Sequence, residues 1–209
     1  MKTILCFGDS NTYGESPEGY GRYERHERWT GRLQAALGAE YLVIEEGLNG
    51  RTTVWEDPVE GDKCGRAHLL VCLESHAPLD LVILMLGTND LKARFHATCA
   101  DIALGAERLV RMILRADNGR RAQPPQILMA APPLINRTTF LGEVFGDRRA
   151  DSERLGALYM AVAERNGVEF IDIAGVAGPS PLDGLHFDRE AHSRVATAFA
   201  EKVRQIFLG

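Results

Sequence analysis

Four short polar segments of this chain contain the residue types that acyl transfer needs. They are Gly8-Asp9-Ser10-Asn11, Asn49-Gly50-Arg51, Gly87-Thr88-Asn89-Asp90 and Asp183-Gly184-Leu185-His186. A serine hydroxyl is a poor nucleophile until a base takes its proton. Histidine is the side chain best suited to take it near neutral pH, and a carboxylate on the second ring nitrogen fixes the tautomer and steadies the imidazolium. Asp183 and His186 lie three residues apart, so one turn can present both to the same point. The oxyanion of a tetrahedral intermediate needs hydrogen-bond donors. Here the candidates are the backbone N–H groups of Ser10 and Gly50 and the side-chain amide of Asn89. Glycine at position 50 lets the backbone approach a ligand with no Cβ in the way.

These segments lie far apart in the chain, so the fold must bring them together. Strand-like apolar runs occur at Thr3–Phe7, Tyr41–Glu45, Leu81–Leu86, Ile127–Ala131 and Val168–Ile173. Several are apolar at consecutive positions, as in strands buried on both faces. Between them the apolar spacing is helical. Ile102, Ala106, Leu109, Val110 and Ile113 share one face, as do Leu155, Leu158, Tyr159 and Val162, and again Ala191, Val195, Ala198, Phe199, Val203 and Ile206. Weaker helical patterns span Trp29–Leu37 and Ala67–His76. Alternation of this kind predicts an α/β fold: a five-stranded parallel sheet with helices on both faces, in flavodoxin-like order 2-1-3-4-5, over residues 1–209 as one domain. Ligands of such sheets bind beyond the carboxyl ends of the strands. Three of the four polar segments directly follow a predicted strand, and the fourth precedes the last helix.

Taken together, in this order, the segments resemble the SGNH (GDSL-type) hydrolase family, whose name lists Ser, Gly, Asn and His. The likeness extends to Ile4-Leu5-Cys6-Phe7-Gly8-Asp9-Ser10, Arg28-Trp29-Thr30-Gly31, Val43-Ile44-Glu45-Glu46-Gly47-Leu48, Leu79-Asp80-Leu81-Val82-Ile83, Met85-Leu86-Gly87-Thr88-Asn89-Asp90 and Asp183-Gly184-Leu185-His186-Phe187. These are similar to the mycobacterial arylesterase/acyltransferase subgroup. The resemblance implies a three-layer SGNH fold and a serine esterase acting on short acyl esters such as aryl or sugar acetates. Ser10, Asp183 and His186 would be catalytic, with Ser10, Gly50 and Asn89 as the oxyanion hole. It also implies possible acyl transfer to alcohols, and a homo-oligomer, often an octamer, in which neighbouring subunits help to build a channel. Position 11 is Asn where the family often has Leu, and position 49 is Asn where Ser is frequent; both bear on pocket polarity.

Asp9, Asn11, Trp29 and Lys92 are the candidate substrate-binding residues. Asp9 also has a local reading, as an acceptor for nearby backbone N–H groups. Lys92 could equally be a solvated surface lysine, and Asp90 could cap a helix or orient a neighbour. Tyr13, Trp55 and Phe140 join Trp29 as aromatic side chains able to line an acyl pocket. His26, His68, His76, His96 and His192 read as surface or core residues. Two long connections, from Thr52 to about Arg66 and from Pro132 to about Arg149, are candidate pocket walls or subunit contacts.

Composition narrows the alternatives. Hydrophobic residues make up 45% and charged residues 25%, with a net charge of -5. Such a chain lacks the clustered Lys and Arg that bind nucleic acid. No apolar run approaches the roughly 20 residues of a membrane span, and the first residues do not read as a signal peptide. The four cysteines, Cys6, Cys64, Cys72 and Cys99, form no C-x-x-C pair, so free thiols in a cytoplasmic protein are expected, with no metal and no cofactor. A nucleotide- or flavin-binding module is the alternative for a flavodoxin-like sheet. The loop after the first strand lacks both glycine-rich phosphate signatures, and Asp9 would repel a phosphate. A catalytically silent sugar-ester binding module would not need all four segments intact.

Overall fold

A computed structural model describes residues 1–136 and 142–208. Five parallel strands, β1 (Lys2–Gly8), β2 (Tyr41–Gly47), β3 (Leu81–Met85), β4 (Gln126–Ala131) and β5 (Glu169–Asp172), form one sheet in the order β2-β1-β3-β4-β5. Both the order and the parallel sense match the sequence expectation. The helices are α1 (Ser10–Tyr13), α2 (Trp29–Leu37), α3 (Gly65–Ser75), α4 (Cys99–Ile113), α5 (Gly142–Phe145), α6 (Arg149–Asn166) and α7 (Arg189–Leu208). Strand β5 is one residue shorter at each end than its apolar run suggests. It lies at the sheet edge and its residues are only partly buried.

Side chains alternate across β1 and so divide the core in two. Leu5 and Phe7 pack with Leu69 and Leu73 of α3, Ile102 and Leu109 of α4 and Leu155 and Tyr159 of α6. Ile4 and Cys6 pack on the other face with Trp29 and Leu33 of α2 and Val195, Phe199 and Val203 of α7. Both faces are therefore covered, which is why β3 is apolar and buried at every position and β1 is so from Ile4 to Phe7. Helix α4 starts with a capping box, Thr98 and Asp101 each bonding the other's end of the first turn. Helix α6 ends on Gly167 in the left-handed conformation (φ 64°). Glu107 of α4 accepts hydrogen bonds from Arg165 Nε (2.9 Å) and Asn166 Nδ2 (3.0 Å) of α6, tying these two helices together.

The carboxyl ends of β1, β2 and β3 lie side by side, with Gly8 paired to Gly47 and to Met85. Arg51 secures this corner. Its guanidinium stacks over Phe7 at 4.2 Å and donates to the carbonyls of Gly8 (3.0 Å) and Glu46. Among the described residues no helix is long and apolar enough to cross a membrane. All four cysteines are free.

Candidate active site

Asp9 begins the site by starting a helix at the end of β1. Its carboxylate accepts from Asn11 N (3.0 Å), capping the four-residue α1. Ser10 therefore occupies the first helical position, at the sheet edge. Such a close landing needs a bare backbone beneath it: a Cβ on Gly47 would lie 2.1 Å from Tyr13 N. Burial pushes the Asp9 carboxyl up to about 6, against the hydrogen bond from Asn11 N and the attraction of His186 and Arg51. Asp9 is 2% exposed and does not line the cleft, so its place is that of a cap and not of a substrate contact.

The turn before α7 brings the imidazole to Ser10. Asp183 Oδ1 accepts from the backbone N–H groups of Leu185 (2.9 Å) and His186 (3.0 Å), which folds the segment back on itself. The other oxygen, Oδ2, lies 2.6 Å from His186 Nδ1. His186 Nε2 is then 3.0 Å from Ser10 Oγ. Partial burial would raise the Asp183 carboxyl, but the hydrogen bonds from His186 and the two backbone N–H groups outweigh it and hold it below its ordinary value. Asp183 thus stays ionised beside the imidazole.

Asn11 staples the two segments. Its Nδ2 donates to the Leu185 carbonyl (3.2 Å) and its Oδ1 accepts from Phe187 N (2.9 Å), so it grips both neighbours of His186. Asn11 is buried and does not line the cleft; the expectation that it touches substrate is replaced by this anchoring geometry. Trp29 is likewise not on the cleft wall. It is fully buried, 4.6 Å from the Phe199 ring, and its Nε1 donates to the Asn11 carbonyl (3.0 Å). Position within an amphipathic helix sent it to the α2–α7 contact. His192 is buried beside it, accepting from Trp29 N at Nδ1 (3.2 Å); burial, followed by the repulsion of Arg32, pulls its imidazole down to about 3 and keeps it neutral.

Ser10, Gly50, Asn89 and His186 border one cleft of about 230 Å³. Neither the Ser10 nor the Gly50 backbone N–H meets an acceptor among the described residues. Gly50 has φ 79°, and a Cβ there would lie 2.2 Å from Glu60 Oε2. Asn89 Nδ2 donates one hydrogen to the Arg51 carbonyl (3.1 Å), leaving the second free. One wall is apolar, made of Val144, Phe145 and Leu185, and the other holds Glu15, Asn49, Glu60 and Lys92. Lys92 is not a solvated cation. It is 3% exposed and paired with Asp57 (3.3 Å) and Glu60, with Arg94 joining both carboxylates at 2.7 Å. Its charge is thereby balanced within the cleft lining. Asn49 donates to Glu15 Oε2 (2.7 Å).

Sequence reasoning did not single out Glu15, Glu60, Val144, Phe145 or Leu185 for the cleft. Leu185 carried a signal in its place between Asp183 and His186, and Glu60, Val144 and Phe145 carried one in their long connections; Glu15 carried none. Trp55 does not border this cleft; it lines a larger hollow of about 670 Å³ with Phe95 and Arg108 on α4. Tyr13 lies under the Arg22 guanidinium (4.3 Å) and is also absent from the cleft wall. Phe140 lies outside the described residues. Of the two long connections, the first supplies Glu60 and the second Val144 and Phe145 to the cleft, as expected of long loops, while Asn49 and Gly50 come from the turn just before the first.

No curated protein matches the chain. Among solved structures, the aryl esterase of M. smegmatis is 39% identical and superimposes with a TM-score of 0.93, with 98% of this chain and 99% of that one covered. A carbohydrate acetylesterase from Sinorhizobium meliloti is also 39% identical, with a TM-score of 0.94 and 99% and 100% covered. A lipase/acylhydrolase from Enterococcus faecalis, at 17% identity and a TM-score of 0.72, covers 98% of this chain and 96% of its own and shares the fold. The model of the GDSL-like lipase/acylhydrolase family matches residues 6–194. With nine-tenths of its length inside that match and two esterases of near-identical fold beside it, the chain belongs to the GDSL-like lipase/acylhydrolase family and is a carboxylic ester hydrolase.

Proposed function

We propose that the chain hydrolyses short acyl esters, aryl or sugar acetates among them, through an acyl-enzyme on Ser10. The observation that carries this reading is the continuous line from Asp183 Oδ2 to His186 Nδ1 (2.6 Å) and from His186 Nε2 to Ser10 Oγ (3.0 Å). His186 takes the Ser10 proton as Oγ attacks the ester carbonyl. The N–H groups of Ser10 and Gly50 and the free hydrogen of Asn89 Nδ2 receive the oxyanion. Collapse of the tetrahedral intermediate breaks the C–O bond, and His186 returns its proton to the leaving alkoxide. Water then attacks the acyl-enzyme with His186 as base, releasing the acid and restoring Ser10. An alcohol held better than water takes the acyl group instead, giving transfer.

The small cleft and the apolar wall of Val144, Phe145 and Leu185 support a short acyl group, and the names of the two esterase relatives support aryl and sugar leaving groups. The reading extends to a cytoplasmic homo-oligomer, octameric by resemblance. Exposed Leu70 and Val71 on α3 and Leu104 on the adjacent α4 support an apolar contact face. The test is burst release of chromophore from an aryl acetate, with stoichiometric phosphonate labelling of Ser10. Ser10→Ala should fold normally and show neither. Native-like turnover in that variant would remove the acyl-enzyme.

A further inference from the structure

The two loops that carry the oxyanion donors are held together by a buried carboxylate. Asp90 follows Asn89 after β3, and Thr53 lies three residues beyond Gly50 after β2. Asp90 Oδ1 and Oδ2 accept from Thr53 N at 3.0 and 3.1 Å, and Oδ1 also accepts from the Thr53 hydroxyl. The Asn89 amide adds the bond to the Arg51 carbonyl between them. We infer that Asp90 is a positioning residue for the oxyanion hole, fixing the distance between the Gly50 N–H and the Asn89 amide. This inference rests on the esterase reading above.

The cost of the arrangement argues that it serves more than packing. Asp90 is 0% exposed, and no arginine or lysine neutralises it among the groups that act on it most strongly. Burial therefore pushes its carboxyl up to about 6; hydrogen bonds from Thr53 and its own backbone pull it down, and the charge of Asp9 adds to the rise. A buried carboxylate without a cation is an expensive way to join two loops. It does, however, accept two donors on one residue at once, which fixes direction as well as distance. The loop has little other freedom. The Leu86 carbonyl accepts from Tyr159 Oη (2.8 Å), and Thr53 itself is anchored because its carbonyl accepts from Arg66 N (2.9 Å) at the start of α3. Asp90 joins two rigid supports.

Thr53→Val removes the hydroxyl while keeping shape and the backbone donor, and Asp90→Asn removes one acceptor. With the clamp loosened, kcat should fall about 10–10²-fold with KM little changed, since displacement near 1 Å is enough for such a loss. Affinity for an alkyl trifluoromethyl ketone, which forms a tetrahedral oxyanion on Ser10, should fall by a similar factor. Thr53→Ser keeps both donors and should restore native turnover. In an Asn89→Ala background, Thr53→Val should cost much less than it does alone. Folded Thr53→Val protein with native kcat and native ketone affinity would overturn the inference, as would full additivity with Asn89→Ala. Either result leaves the esterase reading intact, since that reading falls only if Ser10→Ala turns over normally.

Discussion

Replacing Asn11 by alanine tests how His186 is held. The substitution removes two hydrogen bonds, Nδ2 to the Leu185 carbonyl (3.2 Å) and Oδ1 from Phe187 N (2.9 Å), both buried. Each leaves a backbone group without water or partner, at about 1–3 kcal/mol apiece and about 2–6 kcal/mol together. For a chain of this size that lowers the melting temperature by roughly 5–20 °C. The two groups lie on either side of His186, so the imidazole should also lose its fixed approach to Ser10 Oγ. An added loss of about 10–10²-fold in kcat follows, with KM little changed. Urea unfolding followed by fluorescence reads the first effect as a lower midpoint at constant slope. Initial rates on an aryl acetate, well below the midpoint, read the second. Asn11→Leu, which supplies a side chain common at this position in the family, should not repair either, because the Leu185 carbonyl and Phe187 N–H stay unpaired. Native stability together with native kcat in Asn11→Ala would refute the stapling argument. Loss of stability alone would confine Asn11 to folding.

Two further outcomes follow from the geometry. Asn89→Ala should lower kcat by about 10²–10³-fold if its free amide hydrogen meets the oxyanion, and steady-state kinetics with unchanged KM would show it. Glu107 is held down at about 2 by hydrogen bonding from Arg165, aided by Asn166 and the charge of Arg111. Its folded value lies below its unfolded one, so the stability it contributes is complete above about pH 4.5 and is lost as pH falls through about 2. Its arginine partners are half exposed, which limits the contribution to about 1 kcal/mol. Glu107→Gln should lower the urea midpoint at pH 7 and converge with the native protein near pH 2; parallel curves across that range would contradict the pairing.

Much of the fold was legible because burial on both faces leaves a plain trace. Strands such as Leu81–Met85 are apolar at every position, and α4 shows one clean apolar face. The four polar segments were legible because the fold rule places strand ends together, which makes residues far apart in the chain into neighbours. The long connections marked where cleft walls would come from, but not which side chains would meet there. Lys92 finds Asp57 and Glu60 across more than thirty residues, and no local pattern announces that meeting. Trp29 misled for a related reason: an aromatic at the start of a helix packs inward or faces a ligand according to what lies opposite, and here Phe199 does. Asn11 was read for its polarity, while its role depends on two backbone groups from the other end of the chain.

The dimensions of the cleft have a consequence for selectivity. Liquid water takes about 30 Å³ per molecule, so the roughly 230 Å³ beside Ser10 displaces only a handful of solvent molecules. An acetyl group and the first atoms of its alcohol are of a size with that room, whereas a long acyl chain would have to displace side chains such as Phe145 or leave the cleft. On the esterase reading, selection at this cleft is by size, and a rate that drops steeply as the acyl chain lengthens is its expected sign.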